Sequence, residues 1–396
     1  MRIIMKNIET RAKKWIEIRR ELHANAEVGF DLSKTREIVW NRLTELGYSP
    51  KRLGKSGVLA EVGKGKRAFL LRADMDALPI KEETGVPFAC KRGNMHACGH
   101  DIHTAALLGA AELLKEREDE LEGRVLLLFQ PAEEVLEGAS DCIQTGFLEE
   151  YNVQGAATLH VMTDVPFESG TILLPSAGVG APAADFFRVE IKGKACHGAA
   201  PQNGIDALLV GAQTVTALQA ISSRECSAAL PVVLTIGQMQ AGSAANVVAE
   251  NCLLKGTMRT FDEKARQQAR ARIEEICKWT AKSLRAKAKV TFEGGAPTLI
   301  NDGALLEKVQ PFLCETLGEN KVIAAKSDSG VVAKSGGSED FAYFTQRIPA
   351  LMFALVAGKT EEGYTQPLHH AKVKFDERAI AYGAAALATI GLAFFK

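Results

Sequence analysis

Short apolar runs alternate with helical stretches through the first half of the chain, and this alternation limits the fold more than any other feature. VLAEVG (58–63), AFLLRAD (68–74), RVLLLFQ (124–130), AATLHV (156–161) and GTILL (170–174) read as strands. Residues 8–23, 34–46 and 102–117 show helical periodicity between them. Strands that alternate with helices imply an α/β fold, a mainly parallel sheet flanked by helices. LMFALVAG (351–358) and the Ala-rich run 379–395 return to this pattern at the end of the chain.

A different order begins near Ala183. DFFRVEIKG (185–193), a helix at 205–221, strands at 231–240 and 246–259, a helix at 263–284 and KVTFEGG (289–295) give β-α-β-β-α-β. That is the order of a ferredoxin-like α+β unit. Ala265, Ala269, Ile273, Cys277 and Thr280 fall roughly on one side of its long helix. The chain is therefore expected to hold an inserted domain at 184–293 within a larger domain made of 1–183 and 294–396. SAGVGAP (176–182) and GGAP (294–297) read as hinges.

Composition excludes several functions. Lys+Arg and Asp+Glu are both 48, and no basic block appears, which argues against a nucleic-acid partner. Eight cysteines without paired spacing in 396 residues fit a reducing, cytoplasmic setting. The N-terminus lacks the apolar stretch of a signal peptide. The uncharged run from Ala379 to Phe395 is short and rich in Ala and Gly, so a buried terminal helix is expected and no membrane partner.

The histidines point to chemistry. His96, Cys98, His100, Asp101 and His103 crowd into MHACGHDIH (95–103), in a loop expected to precede a helix. Asp74 and Asp76 follow one strand, Glu133 and Glu134 another, and His160 ends a third. In an open α/β sheet the strands' carboxyl ends line one rim, so these groups should converge. Thiolate, imidazole and carboxylate together suit Zn²⁺, Mn²⁺, Co²⁺ or Ni²⁺ better than Ca²⁺ or Mg²⁺. More than four candidate ligands suggest two divalent metal ions, a set that suits hydrolysis. In the Glu133–Glu134 pair one carboxylate can bind metal while the other serves as general base. Other readings stay open at this level. Cys98 could be a nucleophile, the cluster a closed structural zinc site, and the glutamate pair two solvated acids opening a helix.

Ten segments in order resemble one family. They are RRELHANAEVGF (19–30), LLRADMDALPI (70–80), MHACGHDIHTA (95–105), FQPAEE (129–134), LHV (159–161), GKACHGAAPQNGIDA (193–207), NVV (246–248), GTMR (256–259), GGSEDFAYF (336–344) and LHHAKVKFDE (368–377). They are similar to the bacterial N-acyl-amino-acid amidohydrolases, including hippurate hydrolases, and to plant auxin-conjugate hydrolases, aminoacylases and glutamate carboxypeptidases. The resemblance implies Cys98, His100, Glu134, His160 and His369 as ligands of two metal ions per subunit. It implies Glu133 as general base, His197 as a stabiliser of the oxyanion, and Asp76 as a group that orients a ligand or the base. Asn246 and Arg259 would contact substrate, Arg259 through the substrate's carboxylate. The inserted domain would act as a lid and dimerisation domain in a homodimer or higher homo-oligomer. The implied substrate is a small N-acyl amino acid. A dipeptidase or carboxypeptidase, an N-acetyl-diaminopimelate deacetylase, or a catalytically silent metal-binding protein are the alternatives.

The chain departs from the family pattern at three places. His370 and Ala371 replace a small polar residue and Pro, which leaves His369 and His370 both open as ligands, with spacing to Phe375 favouring His369. Val248-Ala249 and Pro349-Ala350 replace Ile-Pro and Pro-Gly. None of these removes a chemical group, so the pocket's shape is affected and the chemistry is not.

Overall fold

The computed structural model describes residues 2–227, 229–324 and 337–396. In chain order its longer strands are β1 (Lys51–Leu53), β2 (Gly57–Gly63), β3 (Ala68–Asp74), β4 (Arg124–Gln130), β5 (Val153–Met162) and β6 (Ile172–Leu174). They continue with β7 (Ala183–Lys192), β8 (Val232–Ala241), β9 (Asn251–Thr260), β10 (Lys287–Ala296), β11 (Val322–Ala324) and β12 (Ala350–Val356). The longer helices are α1 (Ile8–Ala24), α2 (Ser33–Glu45), α3 (His100–Lys115), α4 (Ala207–Ala220), α5 (Glu263–Ser283), α6 (Gly303–Leu317) and α7 (Ala379–Ala393).

The chain forms two compact units. One contains residues up to Gly180, the described residues from Ile300 to Ala324, and Asp340–Lys396. The other contains Ala181–Leu299 and the described residues Gly337–Glu339.

The first unit holds an eight-stranded mixed sheet in the order β1-β2-β4-β3-β5-β12-β6-β11. Its centre, β4-β3-β5-β12, is parallel. Every residue of β3 is buried, as is all of β4 after Arg124. Strands apolar on both faces belong inside a sheet covered on both sides. The helices carry matching signals. α3 is buried almost all round, and so is α7, the expected terminal helix. The two pack together, and their contact is close because Gly109 has no side chain. A Cβ there would meet Ala384 at 2.8 Å and the Trp15 ring at 2.9 Å. Among the described residues no helix is long and apolar enough to cross a membrane.

The second unit has a four-stranded antiparallel sheet in the order β8-β9-β7-β10, the ferredoxin-like arrangement of a β-α-β-β-α-β chain. α4 and α5 supply the apolar side of its core. Asp206 caps α4 and Asp262 caps α5. Two local expectations change here. The strand expected at 246–259 is broken, with a short pair at Val247–Val248 before β9. The buried stripe of α5 ends on Ala281 in place of Thr280, because four-residue steps from Cys277 stay over the sheet.

Candidate metal centre

β3 lies between β4 on one side and β5 on the other, and all three run in the same direction. This is the point where an α/β sheet reverses its strand order and opens a crevice beyond the carboxyl ends. Asp74 is the last residue of β3, Glu133 and Glu134 follow β4, and His160 lies near the end of β5. His369 comes from the loop between β12 and α7, with a left-handed φ of 66° and its N–H donated to the Ala97 carbonyl at 2.9 Å.

The Cys/His segment is not wholly a loop. α3 begins at His100, two residues before the expected start, so His100, Asp101 and His103 stand on its first turn. Gly99 makes this possible, with φ of 81° at the position preceding the helix. Cys98 stays outside the helix.

These residues meet. Cys98 Sγ is 3.5 Å from His160 Nε2 and 3.3 Å from His369 Nε2. His369 Nε2 is 3.6 Å from Glu134 Oε2. His100 Nε2 lies 3.8 Å from Glu134 Oε1 and 3.9 Å from Glu133 Oε2. Ligand atoms of Cys98, His100 and His160 lie within 4.8 Å of one another, and so do those of Cys98, Glu134 and His369. His370 points elsewhere, its Nδ1 accepting the Lys372 N–H at 3.1 Å. Glu133 differs from its neighbour, with Oε1 accepting the Asp340 N–H at 3.4 Å.

The surroundings suit cations. His100 Nε2 and Glu134 Oε1 are buried and have no hydrogen-bond partner among the described residues. Burial, reinforced by Asp76 and Asp74 against the pull of His100, pushes the Glu134 carboxyl up to about 7. Burial pushes the Cys98 thiol up as well. For His100 burial works against the imidazolium, but the charges of Asp74 and Cys98 outweigh it and hold the ring well above its ordinary value. Metal ligation needs thiolate, carboxylate and neutral imidazole, so a divalent cation would displace protons from all three. The donor set and its unsatisfied atoms therefore fit borderline divalent metals.

The remaining candidate residues make contacts within their own units. Asp76 places its carboxylate 3.6 Å from His100 Nδ1. It accepts the main-chain N–H groups of Glu133 at 3.0 Å and Glu134 at 3.2 Å, and its carbonyl lies 2.9 Å from His100 Nδ1. In the second unit His197 pairs with Val247 across a two-residue ladder, and the Asn246 carbonyl accepts the Gly198 N–H at 2.7 Å. Arg259 lies on β9 and donates to Ser338 Oγ at 2.5 Å. Of GGSEDFAYF, Gly336 lies outside the described residues.

Two networks escaped the sequence reading. Arg72, wholly buried in β3, donates to Asp74 at 2.6 Å, Asp340 at 2.8 Å and Gln130 at 3.0 Å. A guanidinium inside an apolar strand demands buried acceptors, and AFLLRAD carried that signal. The second network joins Asp101 to Arg19 at 2.6 Å and to His23 at 2.8 Å.

A family model described as Peptidase family M20/M25/M40 matches residues 70–392. The N-acetyl-L-cysteine deacetylase of Bacillus subtilis (strain 168) is 39% identical over 381 residues, covering 94% of this chain and 86% of that protein. A dinuclear metal binding peptidase from the M20 family, also from Bacillus subtilis, is 30% identical with a TM-score of 0.79 and covers 97% of this chain and 98% of that one. A proposed aminohydrolase from methicillin resistant Staphylococcus aureus is 30% identical with a TM-score of 0.90, and each chain is covered completely.

Proposed function

The chain belongs to peptidase family M20/M25/M40 and is a hydrolase of amide bonds; from this premise we propose that it is a dinuclear enzyme that splits N-acyl amino acids into a carboxylic acid and a free amino acid. The observation that carries this reading is the position of Cys98. Its sulfur belongs to two groups of possible ligands at once, one with His100 and His160, the other with Glu134 and His369. Cys98, His100, Glu134, His160 and His369 would together hold two divalent ions of the Zn²⁺, Mn²⁺, Co²⁺ or Ni²⁺ type. Bound cations of this kind acidify water and polarise a carbonyl.

The chain's own residues then divide the work. Glu133 takes a proton from water at a carboxylate oxygen and returns it to the departing amine nitrogen. The Asp340 N–H on Glu133 Oε1 aims that carboxylate. Asp76 fixes the main chain of both glutamates. His197 supports the negative oxygen that develops on the acyl carbon. Asn246 and Arg259 bind the substrate, Arg259 through its carboxylate. The second unit serves as lid and dimerisation domain of a homodimer or higher homo-oligomer working in the cytoplasm.

The similarity to an N-acetyl-L-cysteine deacetylase supports a small acyl group. The test is elemental analysis of metal content combined with a panel of N-acetyl and N-benzoyl amino acids and dipeptides. Two ions per chain with turnover of N-acyl amino acids is the expected result. Turnover confined to dipeptides would move the assignment to a peptidase. Metal uptake with no turnover of any member would leave a binding protein.

A further inference from the structure

β3 and β5 stop pairing at Arg72 and Thr158, but β5 runs on to Met162. Val161 lies in this overhang and pairs with Leu355 of β12 on its other side. Both of its main-chain polar groups are taken by imidazoles. The Val161 N–H donates to His103 Nε2 at 2.9 Å, and the Val161 carbonyl accepts from His160 Nδ1 at 2.8 Å. An amide N–H only donates and a carbonyl only accepts, so these two contacts dictate both tautomers. His103 is unprotonated at Nε2 and carries its hydrogen on Nδ1, which faces Asp74 Oδ1 at 2.6 Å. His160 carries its hydrogen on Nδ1, and its Nε2 presents a lone pair toward Cys98 Sγ.

The anchor of this chain is buried throughout. Arg72, Asp74 and His103 are all 0% exposed. Arg72 holds the second oxygen of Asp74, and Thr104 Oγ1 holds the Asp74 carbonyl at 2.8 Å.

We infer that His103 is a positioning residue that sets the ligating tautomer of His160 through the main chain of Val161. This rests on the metal-binding reading above. It also takes His103 out of the ligand set. Asp74, His100 and His103 are close enough to grip an ion, yet both ring nitrogens of His103 are already occupied. Partners one layer behind a metal ligand orient the ring and govern affinity.

The test is titration of the metal-free wild type, His103→Leu and His103→Gln with Zn²⁺ against a chromophoric chelator, with thermal midpoints of the metal-free proteins measured alongside. Gln offers an oxygen to the Val161 N–H and an amide hydrogen to Asp74. His103→Leu is expected to weaken Zn²⁺ binding about 10–100-fold, and His103→Gln to recover most of that loss. Unchanged affinity in His103→Leu overturns the inference alone. So does equal weakening of both variants in step with their thermal midpoints. Failure of the wild type to take up Zn²⁺ overturns the metal reading itself, and this inference with it. A second measurement needs no variant. Histidine ¹⁵N spectra of the metal-free wild type at about pH 8 should show His103 and His160 as Nδ1–H tautomers. Either ring found as Nε2–H overturns the inference.

Discussion

The carboxylate of Asp76 accepts the main-chain N–H of Glu133 at 3.0 Å, and its other oxygen takes the N–H of Glu134 at 3.2 Å. One buried side chain from the end of β3 thus sets the backbone of both acidic residues beyond β4. Ala132, just before the pair, is in the left-handed region with φ of 56°, so this turn needs outside support. Asp76→Ala would leave two amides without acceptors, at about 1–3 kcal/mol for each that stays buried. The thermal midpoint should fall, and kcat should fall about 10–100-fold as the glutamates lose their aim. A variant with wild-type kcat would show that the turn holds itself.

Glu133 and Glu134 are neighbours with different surroundings. Glu134 faces His369 and carries a buried oxygen with no hydrogen-bond partner among the described residues, whereas Glu133 is held by the Asp340 N–H. Glu133→Gln should therefore lower kcat by about 10²–10⁴-fold while metal content stays at the wild-type level. Glu134→Gln should lower metal content first. Activity and elemental analysis on the same preparations separate the two. Metal loss in Glu133→Gln would exchange their roles.

Much of this centre was legible in the sequence, and the reason is chemical. His160 and the glutamate pair stand at strand ends, where a parallel sheet must collect them, and Cys98 and His100 lie in one short segment dense in metal-binding side chains. His369 needed the family resemblance, because a loop residue far along the chain has no periodicity to place it. Residues that act through main-chain atoms were harder to see. Asp76 binds two amides and His103 binds one, and residue pattern does not display contacts to main-chain atoms. The start of α3 moved to His100 because Gly99 accepts a backbone that most residues resist, and pattern alone does not show where such a cap will fall. The networks of Arg72 and His23 escaped because their partners, Asp340 and Asp101, lie far away in sequence.

Gly99 separates Cys98 from His100 and has no room for a side chain. A Cβ would lie 2.3 Å from Val161 Cγ2 and 3.3 Å from the Phe375 ring. Left-handed backbone adds about 1–2 kcal/mol for any L-residue. Gly99→Ala must therefore displace either α3 or Val161, and both carry ligands or their supports. Divalent metal affinity and the thermal midpoint should both drop, as read by metal titration and by melting of the metal-free protein. Retained affinity would mean that Val161 can yield without disturbing His160.

His23 offers a test of the buried charges beside α3. Burial works against its imidazolium, but hydrogen bonds to Asp101 and Glu82 outweigh burial and raise its pKa above 6.5. A base with a folded-state pKa above its unfolded value contributes stability that is complete below about pH 6.5 and disappears as pH climbs through the folded value. His23→Gln keeps a polar group but cannot take up the proton. Melting of metal-free wild type and variant across about pH 5.5–9 should show the wild-type advantage shrinking as pH rises. Metal-free protein is the proper sample, since ligation has its own pH dependence. An advantage that grew with pH would mean that His23 is neutral in the fold, and that Asp101 is balanced by Arg19, at 2.6 Å, without help from the ring.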